Sequence, residues 1–282
     1  MAMDRYVVAG NPVEHSQSPF IHAEFARQTG QVMDYGRLLW PLEGFERSLR
    51  ALVESGAKGC NITVPFKFEA ARIATRLSAR AALAQAANVL SFDAEGWRGD
   101  NTDGVGLVRD IEHNAGVVLR DQRVLLIGAG GAAAGVLGPL LQARPAEVVV
   151  ANRTLYKAQA LVDRHRPAAA GALLQASTLA DCGAGFDVGV HATASSLQGG
   201  AIPVSHRVLR PGALALDMMY GPASQGFLDW AAEHSAIGRD GLGMLVEQAG
   251  AAFELWRGVR PDTASVLAAL RARMGQTTEA RQ

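Results

Sequence analysis

The stretch Val124-Leu-Leu-Ile-Gly-Ala-Gly-Gly-Ala-Ala-Ala-Gly135 places a short apolar strand against a glycine-rich turn and then a run of small residues long enough for a helix. In such a unit Gly128 permits the tight strand-to-helix turn, Gly130 lets the backbone approach a pyrophosphate, and Ala133 lets the helix pack on the strand. Free N–H groups at the start of the helix would hold phosphate charge. We therefore predict a nucleotide-binding loop; a merely flexible glycine loop and a FAD site are the alternatives.

A second apolar run, Glu147-Val-Val-Val-Ala151, follows at about the distance of one strand-helix-strand crossover, which is the context that the glycine motif requires. NAD-binding proteins usually carry Asp or Glu at the end of this strand, for the ribose 2′-hydroxyl. Here the chain continues as Asn152-Arg-Thr-Leu-Tyr-Lys157. Because Arg153 and Lys157 offer cations to a 2′-phosphate, the sequence predicts NADP rather than NAD. A solvated helix start is the alternative for these two side chains.

Length and composition set the broad class. At 282 residues the chain exceeds one average domain, so we expect two. Apolar residues make up 49%, charged residues 19%, and the formal net charge is zero; this favours a globular protein without a nucleic-acid or membrane partner. Cys60 and Cys182 lie far apart, and the N-terminus lacks an apolar signal core. We expect a cytoplasmic protein without a disulfide framework or a membrane span.

A pair of serines follows the first predicted strand, Tyr6–Ala9, in the segment Gly10-Asn-Pro-Val-Glu-His-Ser-Gln-Ser-Pro-Phe-Ile-His22. Ser18 followed by Pro19 is typical of a helix N-cap and first helical residue. Ser16 and Ser18 would then lie where backbone donors converge, and together they could bind a small carboxylate. Simple capping of the helix by both serines explains the spacing equally well.

Lys67 lies between two phenylalanines where a predicted strand, Lys58–Val64, gives way to a helix. Its stem should be buried and its ammonium should lie near a cavity wall, where desolvation lowers a lysine's pKa and suits it to proton transfer. An ordinary lysine that reaches solvent is the alternative. Further along, Asn101-Thr-Asp103 precedes a helix, and Asp103 either caps that helix or partners a buried cation.

Further apolar runs complete the pattern. Phe186–Val190 and Ala213–Leu216 are predicted strands, and strands that alternate with helices indicate a doubly wound parallel sheet that binds ligands beyond its carboxyl ends. The stretch from Asp240 to Trp256 predicts a long helix, and another follows Pro261. The seven histidines form no HxxxH or His-Cys set, so we expect no metal, and no GxSxG elbow supports a Ser-His-Asp triad.

Five separated motifs occur in a specific order. They are Asn11-Pro-Val-Glu-His-Ser-Gln-Ser-Pro19, Asn61-Ile-Thr-Val-Pro-Phe-Lys67, Asn101-Thr-Asp103, the glycine loop with Asn152-Arg-Thr154, and Asp240-Gly-Leu-Gly-Met-Leu-Val-Glu-Gln248. In this order they resemble the shikimate dehydrogenase family over nearly the whole chain. Each motif is modest alone, and their combination is what makes the resemblance specific.

The resemblance implies an α/β fold with two domains. Residues 1–104 would form the N-terminal substrate domain, to which the C-terminal helices of residues 241–282 return. Residues 105–240 would form a Rossmann-type doubly wound NADP-binding domain. The implied reaction is the NADP-linked interconversion of 3-dehydroshikimate and shikimate, in aromatic amino-acid biosynthesis. By the same resemblance Lys67 and Asp103 are the catalytic pair: Lys67 protonates the oxygen that gains charge on hydride transfer, and Asp103 orients the ammonium.

Further positions match the family's binding residues. The substrate-binding ones are Ser16, Ser18, Thr63, Asn88, Tyr220 and Gln248. The cofactor-binding ones are Gly128, Gly130, Gly131, Ala132, Asn152, Arg153, Thr154, Lys157, Met218 and Gly241.

Two departures leave alternatives open. The family usually has Asn-Thr at Asn88-Val89 and Asn-Ala-Thr at His191-Ala-Thr193, so a paralogue that acts on quinate or an aminoshikimate, or acts weakly, also fits. A non-catalytic NADP-binding regulator is disfavoured by the retained Lys67 and Asp103. A folate-linked dehydrogenase is disfavoured because no Tyr-x-x-x-Lys motif surrounds Lys67. Apolar helix faces serve a core and a homodimer equally well, so a homodimer stays open.

Overall fold

Two six-stranded sheets organise the part of the chain that the structure, a computed structural model, describes: residues 3–193, 204–205 and 207–279. Each sheet belongs to one of two compact units. The first unit comprises Met1–Gly106 and Leu245–Gln282, and the second comprises Leu107–Met244. The corresponding divisions suggested by the sequence lie after residue 104 and before residue 241.

The sheet of the first unit is mixed. Its strands are β1 (Asp4–Gly10), β2 (Met33–Leu39), β3 (Gly59–Ile62), β4 (Arg76–Leu77), β5 (Val89–Asp93) and β6 (Gly96–Asp100). Their order across the sheet is β2-β1-β3-β5-β6-β4. Strand β1 pairs in parallel with β2 and β3, whereas β5 runs antiparallel to β3 and β6.

Four helices of the first unit connect these strands: α1 (Ser18–Thr29), α2 (Phe45–Glu54), α3 (Lys67–Ile73) and α4 (Ala79–Ala84). Helix α1 begins one residue earlier than predicted, because Ser18 is its first residue and Gln17 is the N-cap. The helix ends at Gly30, whose φ of 65° suits a glycine C-cap. Large apolar side chains from α2 and from the start of α3, Phe45 and Phe66 among them, are buried in the core.

Helix α5 (Asp103–Arg109) leads from the first unit into the second, whose sheet is entirely parallel. Its strands are β7 (Arg123–Ile127), β8 (Glu147–Ala151), β9 (Leu173–Ser177), β10 (Phe186–His191), β11 (Leu209–Asp217) and β12 (Ile237–Arg239). The order is β12-β11-β10-β7-β8-β9, and the helices are α6 (Gly131–Gln142), α7 (Leu155–His165) and α8 (Gln225–Glu233). The order reverses between β10 and β7, which is the doubly wound topology that the sequence predicts.

Two C-terminal helices, α9 (Leu242–Arg257) and α10 (Thr263–Glu279), bring the chain back to the first unit. The Trp256 ring stacks on Tyr6 of β1 at 4.6 Å between centroids, and its indole N–H donates to the Leu90 carbonyl at 3.2 Å. Arg257 forms an ion pair with Asp4 at 2.5 Å. These contacts confirm the predicted return of the C-terminal helices.

Within the described residues, every helix is too short or too polar to cross a bilayer.

Candidate active site

The predicted catalytic pair is joined in the first unit. The Lys67 ammonium donates to Asp103 Oδ2 at 2.5 Å, and the two side chains are 14% and 6% exposed. Lys67 is the first residue of α3 and Asp103 is the first residue of α5, so each member of the ion pair lies at the N-terminus of a helix. Of the two predicted roles for Asp103, the structure shows the ion pair, because the Asp103 carboxylate accepts a hydrogen bond from the Lys67 ammonium. The backbone N–H of Asp103 donates to Asn101 Oδ1 at 3.1 Å.

Asn88 is the centre of a buried hydrogen-bonded cluster around this pair. Its side-chain amide nitrogen lies 2.8 Å from Asp103 Oδ1, 3.0 Å from the Thr102 hydroxyl and 3.1 Å from Gln248 Oε1, and these three acceptors share its two N–H groups. Its own Oδ1 accepts the Thr102 N–H at 2.8 Å. Asn88 and Gln248 are 160 residues apart in sequence, and the return of α9 is what brings them together. The predicted substrate residues Asn88 and Gln248 therefore share one cluster with Lys67 and Asp103.

The two serines lie at the start of α1. The Ser16 hydroxyl donates to Ser18 Oγ at 3.1 Å, and the Ser18 N–H donates to Ser16 Oγ at 3.3 Å. Gln17, the N-cap, makes no side-chain capping bond. The two hydroxyls thus face each other at a helix N-terminus whose free N–H groups favour an anion.

Thr63 is held beside the loop that carries the serines. Its N–H donates to the Ala9 carbonyl at 2.9 Å, and the Asn11 N–H donates to the Val64 carbonyl at 2.9 Å. A Cβ added to Gly10 would lie 2.2 Å from Thr63 Cγ2, so only glycine permits this approach. Hydrogen bonds therefore hold the loops after β1 and β3 next to each other, as expected where two neighbouring parallel strands end at the same edge of a sheet.

The glycine loop of the second unit has the geometry of a phosphate cradle. Gly128 has a φ of 121°, and a Cβ there would meet the Ala192 carbonyl oxygen at 2.9 Å. Gly130 is the N-cap of α6, and a Cβ there would meet nothing within 4 Å. Gly131 and Ala132 form the first turn of α6, where backbone N–H groups lack helical partners. Open space above Gly130, at a helix N-terminus, fits a pyrophosphate.

The predicted 2′-phosphate residues follow β8. Asn152 donates to the Thr154 carbonyl at 2.9 Å, which closes a turn before α7. Arg153 and Lys157 are exposed, and within the described residues neither forms an ion pair. The two cations thus stand in solvent at the carboxyl end of β8, where they are accessible to an anion.

Three further predicted residues, Met218, Tyr220 and Gly241, lie in the second unit, next to the ends of β11 and β12. The Gly241 N–H donates to the Met219 carbonyl at 2.8 Å, and a Cβ at Gly241 would lie 2.4 Å from the Met218 carbonyl oxygen. The Met218 and Gly241 backbones are therefore in direct contact. Tyr220, predicted to touch substrate, belongs to this unit, whereas the other five predicted substrate residues belong to the first.

The two departures from the family pattern are both buried. Val89 is 1% exposed and follows Asn88 in extended chain, so the two side chains point to opposite faces of the strand. His191, at the end of β10, lies 3.3 Å from Asp217 through Nδ1 and 2.8 Å from the Thr193 hydroxyl through Nε2. Its ring stacks on Phe227 at 5.2 Å between centroids. Both positions are thus part of the packed interior of their own units.

Sequence reasoning missed three polar residues that hold the site together: Tyr35, Asn61 and Thr102. Tyr35 donates to Asn61 Oδ1 at 2.6 Å, and Asn61 donates to the Asn88 carbonyl at 3.2 Å. Asn61 and Thr102 could have been identified from the sequence, because each lies inside one of the motifs quoted above. Tyr35 had no such signal, because it lies on an edge strand that the sequence pattern did not predict.

A Rossmann-type glycine loop in one unit and a lysine–carboxylate ion pair in the other are features typical of nicotinamide-dependent oxidoreductases. Family models match residues 8–90 (shikimate dehydrogenase substrate binding domain), 110–198 (shikimate / quinate 5-dehydrogenase) and 241–271 (shikimate 5′-dehydrogenase C-terminal domain). The chain is 63% identical over 279 residues to "Shikimate dehydrogenase (NADP(+))" of Methylibium petroleiphilum, covering 96% of this chain and 95% of that protein. The chain belongs to the shikimate dehydrogenase family.

Solved structures agree with this assignment. An Ael1 enzyme from Pseudomonas putida is 44% identical, with a TM-score of 0.85 over 95% of this chain and 98% of the other. Shikimate 5-dehydrogenase from Thermus thermophilus, in complex with NADP(H) and shikimate, is 29% identical, with a TM-score of 0.84 over 96% and 99% of the two chains. The predicted α/β fold, with a substrate-binding domain and a Rossmann-type domain, is confirmed.

Proposed function

We propose that this protein is an NADP-dependent oxidoreductase that interconverts 3-dehydroshikimate and shikimate. The observation that carries the proposal is the buried Lys67–Asp103 ion pair, joined through Asn88 to Gln248 in one hydrogen-bonded cluster. Such a cluster supplies a positioned proton donor and several groups that can bind hydroxyls. Support comes from the relative named for this reaction and from the Thermus thermophilus complex with NADP(H) and shikimate.

Lys67 is the general acid of ketone reduction. NADPH would supply the hydride, and an ammonium within hydrogen-bond reach stabilises and protonates the carbonyl oxygen as that oxygen gains negative charge. Asp103 holds the ammonium at 2.5 Å and fixes its direction. In the oxidation of shikimate the same amine, once neutral, accepts the hydroxyl proton.

The remaining polar residues of the first unit bind the substrate. Ser16 and Ser18 bind the carboxylate at the N-terminus of α1, where hydroxyl and backbone donors converge. Thr63, Asn88 and Gln248 bind the ring hydroxyls, and Tyr220 is a further contact. The first unit is thus the substrate domain, and residues of the second unit hold the cofactor.

NADP fits the second unit through three features. The start of α6, with Gly128, Gly130, Gly131 and Ala132, binds the pyrophosphate. Arg153 and Lys157 bind the 2′-phosphate beyond the turn formed by Asn152 and Thr154. The contacting backbones of Met218 and Gly241 form a further part of the cofactor site.

The test is absorbance at the reduced-nicotinamide band with NADP or NAD and with shikimate, quinate or an aminoshikimate in separate cells. Fast reduction of NADP with shikimate, and slow reduction with NAD, is the expected result. Clear turnover with quinate or an aminoshikimate alone would identify a paralogue of different specificity. NADP binding without turnover of any substrate would identify a non-catalytic NADP-binding regulator.

Two proposals concern the whole molecule. The protein acts in the cytoplasm, a reducing compartment in which Cys60 and Cys182 would stay the free thiols that they are in the structure. The protein forms a homodimer through its apolar helix faces, and sedimentation equilibrium would measure its oligomeric state directly. A monomer at all concentrations would exclude the homodimer.

A further inference from the structure

Every polar group of Ser16 takes part in a hydrogen bond. The Ser16 N–H donates to the Val13 carbonyl at 3.1 Å, which closes the turn before α1. The Ser16 Oγ accepts the Ser18 N–H at 3.3 Å and donates to Ser18 Oγ at 3.1 Å. The remaining group, the Ser16 carbonyl, accepts from the Arg37 side chain of β2, a residue that sequence reasoning did not single out.

Two nitrogens of the Arg37 guanidinium share this one acceptor. Nε lies 2.9 Å from the Ser16 carbonyl oxygen, and a terminal nitrogen donates to the same atom. The pairing of β1 with β2 explains the contact, because Arg37 lies opposite Val8, and Leu39 lies opposite Gly10, the last residue of β1. A guanidinium is always charged and its donors are held in a planar fork, so this contact is charge-assisted and directional.

The end of β2 holds the loop between β1 and α1 at two places. Near β1, the Trp40 N–H donates to the Gly10 carbonyl at 3.2 Å, and the Asn11 amide donates to the Trp40 carbonyl at 2.8 Å. Near α1, Arg37 holds Ser16. A binding loop that is already ordered loses less conformational entropy when its ligand binds.

The Arg37 contact fixes the position of the Ser16 oxygen atoms without using a hydroxyl proton of the serine pair. Arg37 bonds to the Ser16 backbone carbonyl. A hydroxyl proton rotates to suit its acceptor, so the Ser16 proton can turn from Ser18 Oγ to a carboxylate oxygen. The Ser18 N–H can still hold Ser16 Oγ in that state. The serine site can therefore bind an anion without movement of the loop.

We propose that Arg37 is a positioning residue for the substrate carboxylate: its guanidinium holds the Ser16 carbonyl and thereby places the Ser16 hydroxyl beside Ser18 at the N-terminus of α1. This inference rests on the proposed function, because it deepens the description of that same site. Shikimate, quinate and an aminoshikimate all carry the carboxylate, so the role is the same for each of them. Arg37 acts through Ser16 and is not a catalytic residue.

The experiment compares Arg37→Ala with Arg27→Ala in steady-state kinetics. Arg37 is exposed, so its loss should leave the protein folded, which a thermal melt checks. We expect the KM for shikimate to rise about fivefold in Arg37→Ala, because the ordered loop loses a charge-assisted bond. The turnover number and the KM for NADP should stay within about twofold, since Lys67 and the second unit are untouched.

Arg27 is the matched control, because it is an exposed arginine at the other end of α1, paired with Glu24 at 2.8 Å. Arg27→Ala should leave all three kinetic values within about twofold of the wild type. An equal rise in the KM for shikimate in both variants would overturn the inference, because the effect would then follow from the loss of any positive charge in this unit.

A double-mutant cycle with Ser16→Ala tests whether Arg37 acts through Ser16. If it does, the variant with both substitutions should raise the KM for shikimate by less than the product of the two single effects. Effects that multiply, or a KM for shikimate that is unchanged in Arg37→Ala, would overturn the inference. A fall in turnover without a change in KM would overturn it as well.

The outcome for the wild type separates this inference from the proposed function. If the wild type prefers quinate or an aminoshikimate, the same comparison uses that substrate, because the carboxylate is shared. A wild type that turns over none of the three overturns the proposed function and this inference together. A wild type that turns over shikimate while Arg37→Ala behaves in the same way overturns this inference alone.

Discussion

The two units present their functional groups in opposite ways. In the first unit Asp103, Asn88 and Gln248 are buried, Lys67 is half-buried, and side-chain hydrogen bonds join the four residues. In the second unit the glycine loop offers backbone N–H groups, and Arg153 is exposed to solvent. The difference reflects the task, because proton transfer depends on a fixed geometry whereas a phosphate is held by accessible charge and free N–H groups.

This contrast predicts different responses to substitution. In a buried cluster, removing one member leaves its partners unsatisfied, so losses are large and affect the chemical step. At an exposed cationic site, side chains act more independently and their loss affects binding alone.

Lys67→Ala should have the largest effect. Without the ammonium nothing in the cluster protonates the developing oxyanion, and turnover should fall by a factor of about 10² to 10⁴. The KM for NADP should change by less than about twofold, since uniform cofactor binding is retained. The measurement is steady-state kinetics with both substrates varied, beside Lys58→Ala, an exposed lysine of the same unit. Turnover retained within tenfold would show that another group is the acid.

Gly130→Ala tests the backbone site of the second unit. A Cβ at Gly130 meets no atom of the protein within 4 Å, so the fold should tolerate it with a change of about 0.5 kcal/mol or less in the free energy of unfolding. The same methyl group would occupy the space proposed for the pyrophosphate and should weaken NADP binding at least about tenfold. Calorimetric titration with NADP and a thermal melt measure the two effects.

Gly226 of α8 is the matched control for that substitution, because a Cβ there also meets nothing within 4 Å. Gly226→Ala should change neither the melting temperature nor NADP affinity appreciably. Unchanged NADP affinity in Gly130→Ala would place the pyrophosphate elsewhere.

Arg153→Ala should have a smaller and more selective effect. Loss of a charge-assisted bond to the 2′-phosphate should weaken NADP by about 1.5 kcal/mol, roughly tenfold, and leave NAD unchanged. The measurement is the ratio of kcat/KM for the two cofactors, with Arg120→Ala, another exposed arginine of the unit, as control. Equal losses for NADP and NAD would remove the 2′-phosphate role.

The parts of the fold that the sequence predicted are those with strong local signals. The glycine loop after β7 is formed by adjacent residues, and α1 ends at a glycine, so a short stretch contains the physical cause of each. The edge strand β2 was not predicted, because Gly36 and Arg37 interrupt its apolar pattern. Its pairing with β1 is a tertiary contact that no local pattern encodes.

The candidate site shows the same division. The residue types of Lys67 and Asp103 could be read from motifs, but their 2.5 Å contact depends on the placement of two helices 36 residues apart. The hydrogen bonds from Tyr35 to Asn61 and from Asn61 to the Asn88 carbonyl join three separate segments, and only tertiary structure reveals them. The structure also bears on Val89, a departure from the family pattern: its side chain is buried on the face of the strand opposite Asn88.

His191→Asn should have the smallest effect on catalysis. His191 is fully buried in the second unit, with Asp217 and Thr193 at its ring nitrogens and Phe227 against its face. Asparagine cannot keep both polar contacts and the stack, so the variant should lose about 1 to 3 kcal/mol of stability. Because the imidazole is enclosed by its own unit, the ratio of kcat/KM for shikimate to that for quinate should stay within about twofold. A larger change in that ratio, measured with a thermal melt in parallel, would make His191 a determinant of substrate choice rather than of packing.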